Sequence, residues 1–315
     1  MFQKICHRAV VFTCLLTFFV TLFGYLARWV DLAEFVVSLR PVYLGVSLIL
    51  LAITGLTQQK ITMRVMMISV LINGAEIAPY YWPQSKPADH QLTLLFYNVD
   101  KIRMPNVGVG EVVTLVQTHQ PDIAVLREVG EQPAAALLTA LSADYPHTFA
   151  YQHEARDGVL ILSQHPLGES KIIDLSDWRP AVAVDVHLEN GTFHLVSPHP
   201  PNPFHAMEER NKQLPALAKY VRNAPRPLVV AGDLNVTMWS GWYKQIERAG
   251  VRNVRRGNGI LPTWRVPGFG FQVPLIYFPL DHVLVSEGIG VFSAETLVSP
   301  GSDHQPLLVR LHINN

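Results

Sequence analysis

Residues 229–237 read VVAGDLNVT. An apolar run ends there in an acid and an amide two positions apart, Asp233 and Asn235. Side chains on a strand alternate between faces, so two such residues at a strand end point to the same side. Alone, the pair has an ordinary explanation, because Asp and Asn favour turns by bonding their own backbone. Its meaning depends on whether other strand ends carry similar groups.

Eight further or overlapping segments read as strands: LTLLFYNV (92–99), DIAVL (122–126), GVLILS (158–163), AVAVDVHL (181–188), TFHLVS (192–197), PLVVAG (227–232), HVLVS (282–286) and PLLVRLH (306–312). Helical runs are EVVTLVQTH (111–119), PAAALLTALSA (133–143), HAMEERNKQLPALAKYVR (205–222) and WSGWYKQIERA (239–249), and Pro215 is expected to kink or split the third. Several strands follow one another without a helix between them. That order predicts packed mixed sheets with helices outside, not a purely parallel doubly wound sheet.

Polar groups recur at the strand boundaries. Asn98 and Asp100 close the first strand, Glu128 follows DIAVL, and His199 follows HLVSP. Asp233 and Asn235 follow PLVVAG, Asp281 opens HVLVS, and Asp303 with His304 precedes the last strand. Six such edges would meet at one end of a sheet, which turn chemistry alone does not explain. The set is oxygen-rich and free of sulfur, a donor chemistry that suits Mg²⁺ or Mn²⁺ more than Zn²⁺.

The strings FYNVD, LREVG, SPHPPNP, AGDLNVT, PLDHVLVS and GSDHQPLL resemble, in order, the motifs of the endonuclease/exonuclease/phosphatase superfamily. The resemblance covers about residues 90–315. It implies an α/β fold, a four-layer α/β/β/α sandwich of two packed mixed sheets with outer helices. It implies Glu128 as the principal metal ligand, with Asn98, Asp100 and Asp303 completing the metal and phosphate site. Asp233 and Asn235 match the pair that positions water and holds phosphate, Asp281 and His304 the acid–histidine pair, and His199 a second histidine. Two departures stand out. Arg127 occupies the position where the pattern has Gln, adding a cation near a phosphate, and SPHPPNP lacks the Tyr- and Asn-bearing form of apurinic endonucleases.

Three other residues are expected near the substrate, each with a plainer alternative. Arg210 and Asn211 either reach a phosphate or form a solvated helix face, and Trp264 either stacks on substrate or packs. Independently of any family, hydrolysis of a phosphate ester needs charge neutralised at phosphorus, donors for the equatorial oxygens and a base for water. Asp233 or the His304–Asp281 pair can act as that base.

The N-terminal part has a different character. Of the whole chain, 49% of residues are hydrophobic and only 16% charged, so some of it prefers an apolar solvent. The excess lies before about residue 80, in runs at 9–27, 41–57 and 61–80. The first is long enough to cross a bilayer core, and its length and the runs after it read as retained helices rather than a cleaved signal peptide. Tyr80, Tyr81 and Trp82 form an aromatic belt. Residues 1–82 thus read as an anchor of two to three spans, 83–91 as a linker and 92–315 as the catalytic domain. With three spans and the N-terminus inside, the favoured reading, that domain lies on the non-cytoplasmic side of a bacterial inner membrane; with two spans it is cytoplasmic. Both cysteines, Cys6 and Cys14, belong to the anchor, which excludes a disulfide framework or Cys-based metal site beyond it.

Formal net charge is zero, whereas tight nonspecific DNA binders carry a basic excess. The expected function is therefore a metal-dependent phosphodiesterase or phosphatase on a lipid or other membrane-proximal ester. Hydrolysis of DNA or RNA is the alternative. A membrane-anchored binding module that has lost catalysis is the alternative of another class, opposed by the intact set of acids and histidines.

Overall fold

The computed structural model describes residues 2–100, 108–153, 157–176, 178–189, 191–266 and 277–313. By contacts the chain forms two compact units: Met1–Trp82 with Val236–Lys244, and Pro83–Asn235 with Gln245–Asn315.

The first unit is helical, with α1 (Phe2–Phe23), α2 (Asp31–Ser38), α3 (Arg40–Leu56) and α4 (Lys60–Tyr81). Among the described residues, two helical stretches are long and apolar enough to cross a membrane, Lys4–Leu26 with 23 residues and Lys60–Tyr81 with 22. The middle span expected at 41–57 corresponds to α3, which has 17 residues and joins α2 at a 64° bend. It counts as a third crossing only together with α2.

Small polar side chains pair between these helices. Ser69 Oγ lies 3.1 Å from Thr21 Oγ1 and 2.8 Å from Ser47 Oγ, and Asn73 Nδ2 donates to Thr21 Oγ1 at 3.0 Å. Such pairs join helices by hydrogen bonds in addition to apolar packing. Glu76, the charge that interrupts the third apolar run, is also paired, with Lys244 Nζ donating to both of its carboxylate oxygens at 2.8 Å.

The second unit holds the sheets. Its strands are β1 (Leu92–Asn98), β2 (Ile123–Arg127), β3 (His147–His153), β4 (Asp157–Ser163), β5 (Leu167–Ile173), β6 (Ala181–Leu188) and β7 (Gly191–Ser197). There follow β8 (Leu228–Asp233), β9 (Val251–Asn253), β10 (Trp264–Arg265), β11 (Tyr277–Phe278), β12 (Asp281–Ser286), β13 (Ile289–Thr296) and β14 (Leu307–Ile313). One six-stranded sheet has the order β13-β14-β1-β2-β4-β3 and the other β5-β6-β7-β8-β12-β9. Both are mixed, since β1 pairs with β2 and β7 with β8 in parallel while their other pairings are antiparallel.

Alternation explains the layers. Leu92, Leu94 and Phe96 of β1 meet Val229 and Ala231 of β8 in one core between the sheets. The opposite face of β1 sends Leu95 and Tyr97 to the helices α5 (Gly108–His119) and α6 (Glu131–Leu141), against Val112, Leu115 and Leu137. Being buried on both faces, β1 reads as a nearly continuous apolar run, and each such side chain contributes about 1.5–3 kcal/mol on burial. Over the second sheet lies α7 (Pro203–Asn223), whose Tyr220 hydroxyl is 2.8 Å from His194 Nε2 of β7. The short α8 (Gly241–Glu247) begins in the segment assigned to the first unit and ends in the second. The result is the expected α/β/β/α sandwich.

Pro215 does not split α7. The backbone leaves helical geometry at Ala206 instead (φ −151°, ψ 62°), near the N-terminal end that Asn202 caps by accepting from Phe204 N at 2.9 Å. A proline removes one backbone donor, and a helix that buries Leu214, Leu217 and Val221 gains enough from packing to run through that loss.

Candidate active site

The inward positions of four strands lead to one end of the sandwich. Asn98 continues the parity of Leu94 and Phe96, Asp233 that of Val229 and Ala231, and Asp281 that of Val283 and Val285, residues that fill the core between the sheets. His199 extends the same series from Phe193 and Leu195 of β7. At these ends the apolar side chains stop and polar ones take their places. Asp281 and Asp233 are direct register partners across β12 and β8.

Asn98 ties the two sheets together. Its Nδ2 donates to Glu128 Oε1 at 3.2 Å and to Asp233 Oδ2 at 3.0 Å. His199 Nε2 lies 3.5 Å from Glu128 Oε1 and 3.7 Å from Asp233 Oδ2. On the other side, His304 Nδ1 is 2.8 Å from Asp281 Oδ2, and its Nε2 is 3.9 Å from Asp233 Oδ2. Asp303 Oδ2 accepts from Trp264 Nε1 at 3.1 Å. Asn235 donates its backbone N–H to Asp233 Oδ1 at 2.9 Å and its side-chain amide to Pro200 O at 3.0 Å.

The backbone here is forced. Asp100, Glu128 and Asn235 have φ of 56°, 57° and 50°, in the left-handed region that non-glycine residues seldom adopt. Such conformations persist where surrounding structure over-determines them, and they cluster at functional sites. For Asp100 the restraint is visible, its N–H donating to Asn98 Oδ1 at 3.1 Å.

Burial and neighbouring charge set the protonation states. Burial pushes Asp233 up to about 6, and the Asp281 carboxylate adds to the effect against the opposing pull of His304 and His199. Burial works to lower His304, but its bond and charge pairing with Asp281, together with Asp233 and Asp303, lift it to about 10. Burial also opposes ionisation of Asp281, yet His304, Thr263 and Arg255 hold it below the usual carboxylate range.

A stability prediction follows from His304. Between its ordinary value near 6.5 and about 10 the folded chain binds more protons than the unfolded one, so stability falls as pH rises through that window. The full contribution is present below about 6.5 and lost above about 10. The urea midpoint of the detergent-solubilised chain should decline from pH 7 to 10, and the decline should shrink in His304→Asn. An equal decline in both proteins would contradict the assignment.

Among the described residues, two groups offer metal-ligand atoms within 4.8 Å of one another: Glu128, His199 and Asp233; and Asp233, Asp281 and His304. The second suits a metal poorly, because His304 Nδ1 is engaged with Asp281 and an imidazolium has no lone pair to give. The first brings together two carboxylates, one of them raised by burial, and a divalent cation would favour their charged forms.

A cavity of about 380 Å³ opens at this end, lined by Asp100, Glu128, His199, Asp233, Asn235, Trp264, Asp303 and His304. Asn98 and Asp281 stand fully buried behind it. Arg127, Arg210 and Asn211 are not among the described lining residues. Arg127 is buried at the end of β2. Arg210 is buried too, donating from Nη1 to the backbone carbonyl of Asn235 at 3.0 Å and from Nη2 to Asn211 Oδ1 at 2.8 Å. It therefore reaches the GDLN loop rather than the cavity wall. Trp178, Arg179, Asn202 and His205 also line the cavity. Sequence reasoning missed Trp178 and Arg179 because they lie on a loop without periodicity, and Asn202 and His205 because they sit at the start of α7, where a cap and a first-turn residue look ordinary.

Residues 95–304 match the profile of the Endonuclease/Exonuclease/phosphatase family. A UPF0294 protein of Vibrio cholerae serotype O1 is 28% identical over 257 residues, covering 77% of this chain and 86% of its own. Among solved structures, an endonuclease/exonuclease/phosphatase from Beutenbergia cavernae superposes with a TM-score of 0.61 at 21% identity, covering 72% of each chain. D. rerio TDP2 complexed with single-strand DNA product gives 0.61 at 17% identity, covering 70% of this chain and 98% of that one. The 3′ phosphatase NExo from Neisseria, bound to a product DNA hairpin, gives 0.58 at 18% identity, covering 70% and 100%. The shared feature in these three is the fold.

Proposed function

Because the chain belongs to the Endonuclease/Exonuclease/phosphatase family, whose named activities all cleave a phosphate ester, we propose that it is a membrane-anchored, divalent-metal-dependent hydrolase. Its reaction is in-line attack of water at the phosphorus of a lipid or other membrane-proximal ester. The observation that carries this reading is the pair of hydrogen bonds that Asn98 donates to Glu128 and Asp233, which holds two carboxylates from opposite sheets against each other beside a histidine.

Each residue then has a task. Glu128, with Asn98, Asp100 and Asp303 around it and Asp233 beside it, suits Mg²⁺ or Mn²⁺, and a bound ion would supply Lewis-acid neutralisation of phosphate charge. Asp233, the acid with a value near 6, is ionised at neutral pH and takes the proton of the attacking water. His304, kept cationic by Asp281, donates to a non-bridging oxygen as charge builds there. His199 and Asn235 orient the phosphate from the opposite wall. The long apolar helices Lys4–Leu26 and Lys60–Tyr81 support the membrane part of the reading, with the catalytic unit on the non-cytoplasmic side. Protease protection in oriented vesicles tests that side.

One second reading has a specific support. TDP2 and NExo, the solved neighbours described above, hold DNA products, which favours a nucleic-acid end as the ester. The full chain in detergent should be assayed with Mg²⁺ or Mn²⁺ against p-nitrophenyl phosphate, bis-p-nitrophenyl phosphate, phospholipid vesicles and single-stranded DNA. Turnover should vanish in EDTA and return on adding either ion. Undiminished turnover in EDTA, or none on any ester with metal, would sink the proposal; a preference for DNA over lipid would select the second reading.

A further inference from the structure

We infer that Arg179 is a specificity-determining residue that reads the third terminal oxygen of a phosphate monoester, so that the site favours monoesters over diesters. The inference rests on the phosphate-ester hydrolase reading and narrows it.

The residue is delivered by the loop between β5 and β6. That loop is held by α7, whose fully buried Gln213 donates from Nε2 to the Arg179 carbonyl at 2.9 Å and to Ser176 Oγ at 3.1 Å. The guanidinium lies against the cavity, with Nη1 3.5 Å from His199 Nδ1. Among the described residues lining the cavity, Arg179 is the sole lysine or arginine, facing Asp100, Glu128, Asp233 and Asp303. No hydrolytic step above uses it.

Its chemistry suggests the task. A guanidinium keeps its charge at any physiological pH and presents donors in a planar fork matched to phosphate oxygens. The cavity has three features that favour negative charge: the His304 imidazolium, the Glu128–Asp233 side suited to a divalent cation, and Arg179. A diester has two non-bridging oxygens, which the first two features satisfy. A monoester has a third terminal oxygen and a second negative charge; beside the orienting groups His199 and Asn235, Arg179 is the lysine or arginine that the described lining offers to receive that charge.

A plainer role is that Arg179 only braces His199. The two differ in what substitution does to selectivity. In Arg179→Ala, the ratio of kcat/KM for p-nitrophenyl phosphate to that for bis-p-nitrophenyl phosphate should fall about 30-fold, the size expected for one charge-assisted contact, with the loss mainly in KM. Arg179→Lys, which keeps the charge without the fork, should fall between. Binding of orthophosphate to the full chain in detergent with Mg²⁺, followed by calorimetry, should weaken about 30-fold in Arg179→Ala. A ratio unmoved by the substitution, with both esters losing kcat alike, would mean a brace and overturn the inference, as would unchanged orthophosphate affinity. Should the wild type hydrolyse neither ester, the functional reading fails by itself, and orthophosphate binding still decides the role of Arg179.

Discussion

Asp233→Asn is expected to lower kcat for phosphate ester hydrolysis about 10⁴-fold, the upper end of what a positioned base contributes, while the chain stays folded. The substituted amide keeps the shape of the acid and cannot accept a proton from water. It can still accept from the Asn235 N–H, but its other end would then present a donor to Asn98 Nδ2, which now donates to Asp233 at 3.0 Å. That conflict is worth about 1–3 kcal/mol, partly offset because the amide removes a buried acid whose charge burial disfavours. Circular dichroism should therefore match the wild type and KM should move little. Asn98→Ala combined with Asp233→Asn is the control for the conflict: it removes the opposing donor, and should recover stability relative to Asp233→Asn without recovering turnover. If Asp233→Asn keeps more than about a hundredth of wild-type kcat, outside the expected contribution of a base of this kind, another group deprotonates the water.

How much of this was legible beforehand depended on position in the sheets. The eight strands read from the sequence are the interior ones, β1, β2, β4 and β14 of one sheet and β6, β7, β8 and β12 of the other. Of the strands missed, β3, β5, β9 and β13 are the four edges of the large sheets, and β10 and β11 form a separate two-stranded ribbon. Interior strands here are apolar on the face between the sheets and over much of the other, so they stand out as runs of Val, Leu and Ile. An edge strand such as β5, LGESKII, is exposed over most of its middle and carries the mixed composition of a loop. The site shows the same division. Asn98, Asp233 and Asp281 were readable because each ends an interior strand. Trp178 and Arg179 were not, because the loop bearing them is fixed by Gln213 on a helix distant in sequence. Arg210 was legible as a residue but not as a contact: its charge suggested a phosphate, whereas burial on α7 turns its Nη1 to the carbonyl of Asn235.

His304→Gln should lower kcat about 10³-fold, the loss seen when one preorganised donor to developing charge is removed. This substitution is harder to interpret than Asp233→Asn, because it strips Asp281 of its partner. Asp281 is fully buried, and a buried carboxylate that loses its cation destabilises a protein by about 3–5 kcal/mol. A fall in activity could then reflect a damaged fold. The double variant Asp281→Asn with His304→Gln separates the two effects, since both side chains become neutral amides able to bond each other where the 2.8 Å contact now lies. Its thermal midpoint should recover most of what the single variant lost, while its kcat stays about 10³-fold low. Recovery of turnover along with stability would mean that His304 serves the fold and not the phosphate. Asp281→Asn alone adds a pH signature. Without that carboxylate, the largest influence raising His304 towards 10 is gone, so its proton is lost nearer the ordinary value of about 6.5. Activity at pH 6 should then survive better than activity at pH 8, the reverse of the wild type, whose base Asp233 is more fully ionised at the higher pH. An unchanged pH profile in Asp281→Asn would leave no role for an imidazolium at this position.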